Sequence, residues 1–193
     1  MPPKKHIDLQ QVVQTAIEVA DENGLEAVTL ASVAARLDIR IPSLYNHVEG
    51  LPGLRRELAL WAAQNLADEL RRASVGRAGK DAIWSLAIAY RKFARTHPGV
   101  YPITRKAPEA DDAEMMKASE ELLEIVYAVL RPYGFNDADL IHAVRALRSV
   151  LHGFVDLETA GGFEMGYDRD ESYERLVRMF TDALELHGYG KQP

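Results

Sequence analysis

Apolar residues recur along almost the whole chain at intervals of three and four, the period of helices with one buried face. Leu9, Val13, Ala16, Ile17 and Ala20 open the series. Gly24 is placed to end that helix, because glycine readily takes the left-handed conformation just past a C-terminus. Thr29 stands where an N-cap belongs, and Leu30, Val33, Ala34 and Leu37 follow on one face. A further short helix carries Pro42 in its first turn, where a missing N–H costs nothing; its apolar side reads Ile41, Leu44, Tyr45 and Val48. The stretch Glu49-Gly50-Leu51-Pro52-Gly53 reads as a break.

The remaining pattern is equally helical. A long helix is expected from about Leu54 to Leu70, then a small-residue loop over 73–79, then a helix with Ile83, Leu86, Ala87, Tyr90 and Phe93 inward. His97-Pro98-Gly99 stops it, and residues 100–107, with Pro102 inside, should form a short turn or kinked helix. Another helix spans 111–130 and closes at Pro132 and Gly134. Asn136 or Asp137 caps the next, which runs to about Ala160 with Leu140, Val144, Leu147, Leu151 and Phe154 along a seam. Gly161-Gly162 ends it, and Tyr173, Leu176, Val177, Phe180 and Leu184 define the last. No β-alternation and no repeat is visible. The expectation is an all-α chain of about nine helices: a three-helix N-terminal head, residues 1–53, and a helical-bundle body, residues 54–193.

Two short helices joined through Asp38-Ile39-Arg40 read as a helix-turn-helix over residues 30–48, in which the second helix projects into a major groove. Its side chains suit that task. Arg40 can pair with a phosphate or a guanine edge, Ser43, Asn46 and His47 can reach bases or phosphates, and the Tyr45 hydroxyl can meet a phosphate. Thr29 lies at a helix N-terminus, which attracts phosphate. The pattern alone also fits two packed helices of a bundle.

Charge complicates the picture. The chain of 193 residues carries a formal net charge of −6. Residues 1–50 hold Lys4, Lys5, Arg36 and Arg40 against Asp8, Glu18, Asp21, Glu22, Glu26, Asp38 and Glu49. Four of these acids, Glu18, Asp21, Glu22 and Glu26, lie in or just after the first helix, and none lies between Ile39 and Val48. The contact surface can therefore be neutral to basic while the head is acidic, with few phosphate contacts and a shallow salt dependence. Lys4 and Lys5 read as a disordered tail or a minor-groove arm.

Enzyme chemistry finds little support. With no cysteine, thiol catalysis, disulfides and cysteine-ligated zinc are excluded. No nucleophile elbow, zinc-helix motif or dinucleotide glycine fingerprint is present. Gly76 to Lys80 has the wrong spacing for a phosphate loop, and Asp81 stands where Ser or Thr is needed. His152 and Asp156 are four apart, as ordinary helix-surface neighbours are, and His142 and His152 are ten apart, a poor metal spacing. No cofactor or metal is expected. The N-terminus has no apolar run of a secretory signal, and no stretch is long enough to span a membrane; a cytoplasmic protein is expected.

The body offers Trp84, Tyr90, Phe93, Tyr101, Met115, Met116 and Tyr127 as candidate walls of an apolar ligand pocket, with Arg105, Arg145, Arg148 and His152 as polar partners. Plain core packing is the alternative for each. The helices at 137–160 and 173–186 are candidates for a subunit interface through Leu140, Val144, Leu147, Leu151, Phe154, Leu176, Phe180 and Leu184; the alternative is that they close the core of one protomer.

Residues 16–58 resemble the DNA-binding domain of TetR-family regulators. The spacing Ala16…Ala20…Gly24, Thr29-Leu30, Val33-Ala34 and above all Ser43-Leu44-Tyr45-Asn46-His47-Val48 carry the likeness. Trp84, His97-Pro98-Gly99, His152-Gly153-Phe154 and Gly161-Gly162-Phe163 resemble a C-terminal regulatory domain of a subset of that family. The resemblance implies a ligand-released repressor: a homodimer joined by its last two helices, binding a double-stranded, two-fold symmetric operator and a small-molecule effector. It implies that Thr29 and Tyr45 touch phosphates and that Arg40, Ile41, Pro42, Ser43, Asn46 and His47 face or flank the groove. Two positions depart from the family. Asp38 replaces a usual turn glycine, so either the turn differs or Asp38 is left-handed. A usual lysine after the recognition helix is missing, and Arg55 or Arg56 is the candidate substitute.

Overall fold

The structure, a computed structural model, describes residues 7–186. Its elements in chain order are α1 (Leu9–Asn23), α2 (Leu30–Leu37), α3 (Ile41–Leu44), α4 (Gly50–Ser74), α5 (Gly79–Thr96), α6 (Ala113–Leu130), α7 (Asp137–Thr159) and α8 (Arg169–Leu186), with 3-10 turns at Leu25–Ala27, Tyr101–Arg105 and Arg131–Tyr133. The all-α expectation holds; among the described residues there are eight α-helices rather than about nine, because 101–105 closes as a 3-10 turn beside Pro102. Lys4 and Lys5 lie outside the described residues.

Local chemistry sets the ends. Asp8 and Gln11 form a reciprocal capping box at α1. Gly24, at φ 85°, ends that helix by donating its N–H to Ala20. Asn136, of the two candidates, caps α7 by accepting from Asp139 N–H. Two boundaries differ from expectation. The predicted break at 49–53 is instead the first turn of α4: Gly50 enters at φ 69°, Pro52 falls where no donor is needed, and Gly53 N–H reaches the Glu49 carbonyl at 3.2 Å. The last helix starts four residues before Tyr173, at Arg169, where the acids Asp170 and Glu171 suit a helix N-terminus.

The chain divides into two compact units that do not follow the expected boundary after residue 53. The first runs up to Gln64 and takes in Thr96–Met116; the second comprises Asn65–Arg95 and the chain from Lys117 onward. In the first, Val12, Val13, Ala16, Ile17 and Ala20 of α1 are buried together with Val33, Ala34 and Leu37 of α2, Leu44, Val48, and Leu54 and Leu58 of α4. Leu9, expected inward, is 39% exposed, and Ile7, two residues earlier, is buried instead.

In the second unit, α5, α7 and α8 enclose Ile83, Leu86, Ala87, Phe93, Leu147, Leu151, Tyr173 and Val177. Tyr173 donates its hydroxyl to the Ala87 carbonyl at 2.7 Å. Arg91, 7% exposed, binds Glu158 and Asp170 and lies over the rings of Tyr173 and Phe154. Among the described residues no helix is long and apolar enough to cross a membrane.

Candidate nucleic-acid interface

The helix-turn-helix is built from its caps outward. Thr29 accepts from Ser32 N–H and Ser32 accepts from Thr29 N–H, both at 3.0 Å, while the Ser32 hydroxyl also donates to the Ala27 carbonyl at 2.9 Å. Thr29 is thus exposed but already engaged in holding the start of α2. At the other end Asp38 takes φ 57°, ψ 47°, and is the sole non-glycine at positive φ among the described residues. Asp38 N–H donates to Ala35 and Ile39 N–H to Ala34, at 3.2 and 3.0 Å, the paired closure that a left-handed residue allows after a helix. Of the two alternatives at this departure from the family pattern, the left-handed one is realised.

Beyond the turn, α3 is shorter than its pattern suggests. It forms one α-turn, Ile41–Leu44, and continues through turns in which His47 and Val48 N–H both donate to the Leu44 carbonyl. The four-residue apolar side splits: Leu44 and Val48 are buried, whereas Ile41 is 40% and Tyr45 61% exposed. An i, i+4 pair suffices to seat so short an element, and the other two side chains project with Arg40, Pro42, Ser43 and Asn46, all exposed; His47 is half-buried at the margin. Arg40 makes no ion pair among the described residues. Of the sequence-predicted DNA-contact residues in and beside α3, all but His47 are exposed, as is Thr29 at the start of the neighbouring helix.

The surrounding charges are largely satisfied. Arg36 binds both carboxylate oxygens of Glu22 at 2.5 Å, with Glu18 at 3.6 Å. That hydrogen-bonded guanidinium holds the Glu22 carboxyl below its usual range. Asp21 accepts from His97 Nδ1 at 2.7 Å and from the backbone N–H groups of Gly99 and Val100 at 3.0 and 3.3 Å. Trp61 meets His97 edge-on, centroids 5.0 Å apart. The acids of α1 are thus occupied by protein partners. Arg56, one candidate for the missing lysine, is tied to Asp112 at 2.6 Å and to Glu57 and Glu114 at 3.0 Å. Among the described residues Arg55 pairs only with the highly exposed Glu26, at 3.3 Å, and is the less encumbered of the two. The grouping of Asp21 with His97 and Gly99 escaped the sequence reading; His97-Pro98-Gly99 signalled a turn, but nothing local names a partner 76 residues away.

The eleven pocket candidates are divided between the units: Tyr101, Arg105, Met115 and Met116 belong to the first, and Trp84, Tyr90, Phe93, Tyr127, Arg145, Arg148 and His152 to the second. Within the second, Tyr90 and His152 meet, hydroxyl to Nδ1 at 2.6 Å with rings edge-on, and Arg148 Nε approaches His152 Nε2 at 3.4 Å. Tyr90, Phe93 and Tyr101 are buried, whereas Met116, Arg105 and Arg145 are exposed. Neither of two open cavities in the second unit, about 400 Å³ around Phe163 and Met165 and about 250 Å³ around Val75 and Ile125, is lined by any of the eleven.

The interface candidates separate as well. Val144, Leu147, Leu151 and Phe154 are at most 8% exposed within one protomer. They close the core of their own unit and have almost no area left to bury against a partner. Leu140, Leu176, Phe180 and Leu184 are half-buried. The apolar side chains of these two helices that do face outward are Ile141 and Leu157 on α7 and Met179 and Leu186 on α8, at 43, 52, 64 and 82% exposure.

Comparison with known proteins gives consistent results. Residues 83–180 match the family described as tetracyclin repressor-like, C-terminal domain. The chain is 35% identical to an uncharacterized HTH-type transcriptional regulator, YobS, of Bacillus subtilis, over 97% of each chain. It is 34% identical to a second such regulator, Rv0681 of Mycobacterium tuberculosis, over 91% of this chain and 81% of the other. A solved structure from Rhodococcus sp. RHA1 shares the fold with a TM-score of 0.80 at 18% identity, covering 96% of this chain and 100% of that one.

Proposed function

Because this chain belongs to the TetR family of DNA-binding transcriptional regulators, which are not enzymes, we propose that it is a ligand-released repressor acting as a cytoplasmic homodimer on a palindromic operator. One observation carries the reading: α3 and the turns flanking it expose Arg40, Ile41, Pro42, Ser43, Tyr45 and Asn46, without an acid, on a base fastened by Leu44 and Val48. Such a surface suits a major groove, with Arg40 and Asn46 aimed at base edges, Tyr45 and Thr29 at phosphates, and His47 at the margin. So few cations make a weak single head, and two heads on one duplex square the gain.

The dimer surface we assign is the outward side of the last two helices. Ala146, Ser149, Gly153 and Leu157 lie along α7, and Met179, Ala183 and Leu186 lie along α8, each line at helical spacing and exposed. Leu140, Leu176, Phe180 and Leu184 would border it. A two-fold contact places the same patch on both partners, and the small residues of α7 let helix backbones approach closely. For the effector, Tyr90 and His152 supply a polar pair on α5 and α7, with Trp84 and Phe93 as further apolar candidates on α5, which suits a largely apolar molecule with one hydrogen-bonding group. Tyr127 and Arg145, and the first unit's Tyr101, Arg105, Met115 and Met116, remain further candidates. Binding there would favour a body conformation whose two heads no longer match successive grooves.

The test is selection of duplexes from a random pool, repeated with a metabolite library. An enriched inverted repeat with half-sites about one helical turn apart, roughly 34 Å, released by one compound, is the expected result. No enrichment would remove the reading.

A further inference from the structure

Resting on that DNA-binding reading, we propose that Asp21 and the turn at residues 97–101 are positioning elements for operator binding: the unit that presents α3 to DNA is completed by chain far outside the helix-turn-helix. The first observation is a backbone contact. Gly99 is buried against the end of α1 so closely that a Cβ there would run into the Ala20 carbonyl and the Asp21 nitrogen. No side chain can stand between the two segments. The second is the Asp21 carboxylate, 18% exposed, which takes His97 Nδ1 and the N–H groups of Gly99 and Val100. Three donors converging on one carboxylate fix its position more firmly than a surface ion pair would. Third, the neighbouring Val100 and Tyr101 are 0 and 1% exposed, so the turn is anchored by burial as well as by polar contacts.

The latch acts at an informative place. Ala20 and Asp21 lie in the last turn of α1, and the next residue, Glu22, is the one that holds Arg36 by two hydrogen bonds. Arg36 sits at the end of α2, two residues before the left-handed Asp38 that aims the chain into α3. A continuous series of contacts therefore runs from residues 97–100 to Asp21, along α1 to Glu22, across to Arg36, and through Asp38 to the reading surface. The same distant segment has a second grip, since Asp112 holds Arg56 in α4 by two hydrogen bonds at 2.6 and 2.7 Å. All of these residues belong to the first compact unit. None of the latch residues needs to touch DNA; they set the angle at which α3 is offered.

The experiment uses the full chain and the duplex that the wild type enriches, with a scrambled duplex of equal length beside it. Asp21→Ala and His97→Ala are assayed at a temperature where circular dichroism shows full helix content. The expected result is about a tenfold rise in Kd for the selected duplex with Asp21→Ala and a smaller rise with His97→Ala. Binding to the scrambled duplex changes less than twofold, and the slope of log K against log salt stays at its wild-type value because no phosphate contact is removed. Asp21→Asn, which keeps an acceptor for the Gly99 N–H, falls between Asp21→Ala and the wild type. Selected-duplex binding within twofold of wild type in both alanine variants overturns the proposal, as does an equal fall on both duplexes, the mark of partial unfolding. A wild type that enriches no duplex fails earlier, at the DNA reading itself, and takes the proposal with it.

Discussion

Arg91 grips Glu158 by two hydrogen bonds, Nε to Oε2 at 2.9 Å and Nη2 to Oε1 at 2.5 Å, with both side chains nearly excluded from solvent. The guanidinium also lies 4.8 Å over the Tyr173 ring, so one cation joins α5, α7 and α8. Because Glu158 is only 11% exposed, it cannot recover its hydration if its partner is removed. Arg91→Ala is expected to lower stability by about 3 kcal/mol, the range for stranding one partner of a buried pair. Urea denaturation with an unchanged m-value is the measurement; a change under 1 kcal/mol would contradict it.

The left-handed Asp38 gives an opposite pair of outcomes. A non-glycine residue costs about 1–2 kcal/mol in this region, less for aspartate. Asp38→Gly should be neutral or stabilising by about 0.5 kcal/mol, and Asp38→Val should lose about 2 kcal/mol through its β-branch. Thermal melts of the two variants separate them by sign.

The acid limb of stability is expected to depend on Asp112. The Arg56 guanidinium, assisted by the Met115 N–H, holds the Asp112 carboxyl below its usual range. A depressed folded value means the contribution is complete above the unfolded value, near 4, and is lost as pH falls through the folded one. Asp112→Asn should therefore be less stable than wild type at neutral pH, with the gap closing from about pH 4 downward. A gap that stays constant to pH 2 would exclude this assignment.

On the reading surface, Arg40→Ala and Asn46→Ala should each cost about 1–3 kcal/mol of operator affinity and relax preference at one base position. Tyr45→Phe should weaken binding evenly across sequences, with folding intact in all three. Gel-shift titration against the enriched duplex and its single-position variants distinguishes these patterns.

The outward line on α8 is tested by Met179→Asp. Met179 is 64% exposed in the protomer, so the substitution leaves the core intact. It should shift sedimentation from dimer to monomer at micromolar concentration and reduce operator binding at least tenfold. An unchanged dimer would place the subunit contact elsewhere.

How much of this was legible beforehand follows the range of the interactions. Thr29, Gly24, Asn136 and Pro42 act on groups within four residues, and their roles could be read from spacing. The helix-turn-helix was recognisable because Leu44 and Val48 keep its seam while Ser43, Tyr45 and Asn46 project. The start of α4 was misread because Gly50 and Pro52 look like breakers in a helix interior but fit its first turn. Periodicity identified Val144, Leu147, Leu151 and Phe154 as one face, but not whether that face meets its own unit or another protomer. Asp21, a surface acid by composition, found His97 and Gly99 only through the fold.

The discontinuity of the first compact unit has a practical side for building hybrid regulators. A reading head cut out after the last turn of the helix-turn-helix would leave behind the glycine that nests against α1 and the backbone N–H groups that hold Asp21. Grafting it onto a foreign sensor at a single splice would swap those neighbours for unrelated ones. A faithful transplant must carry the insert at Thr96–Met116 and be sewn at three seams, after residues 64, 95 and 116.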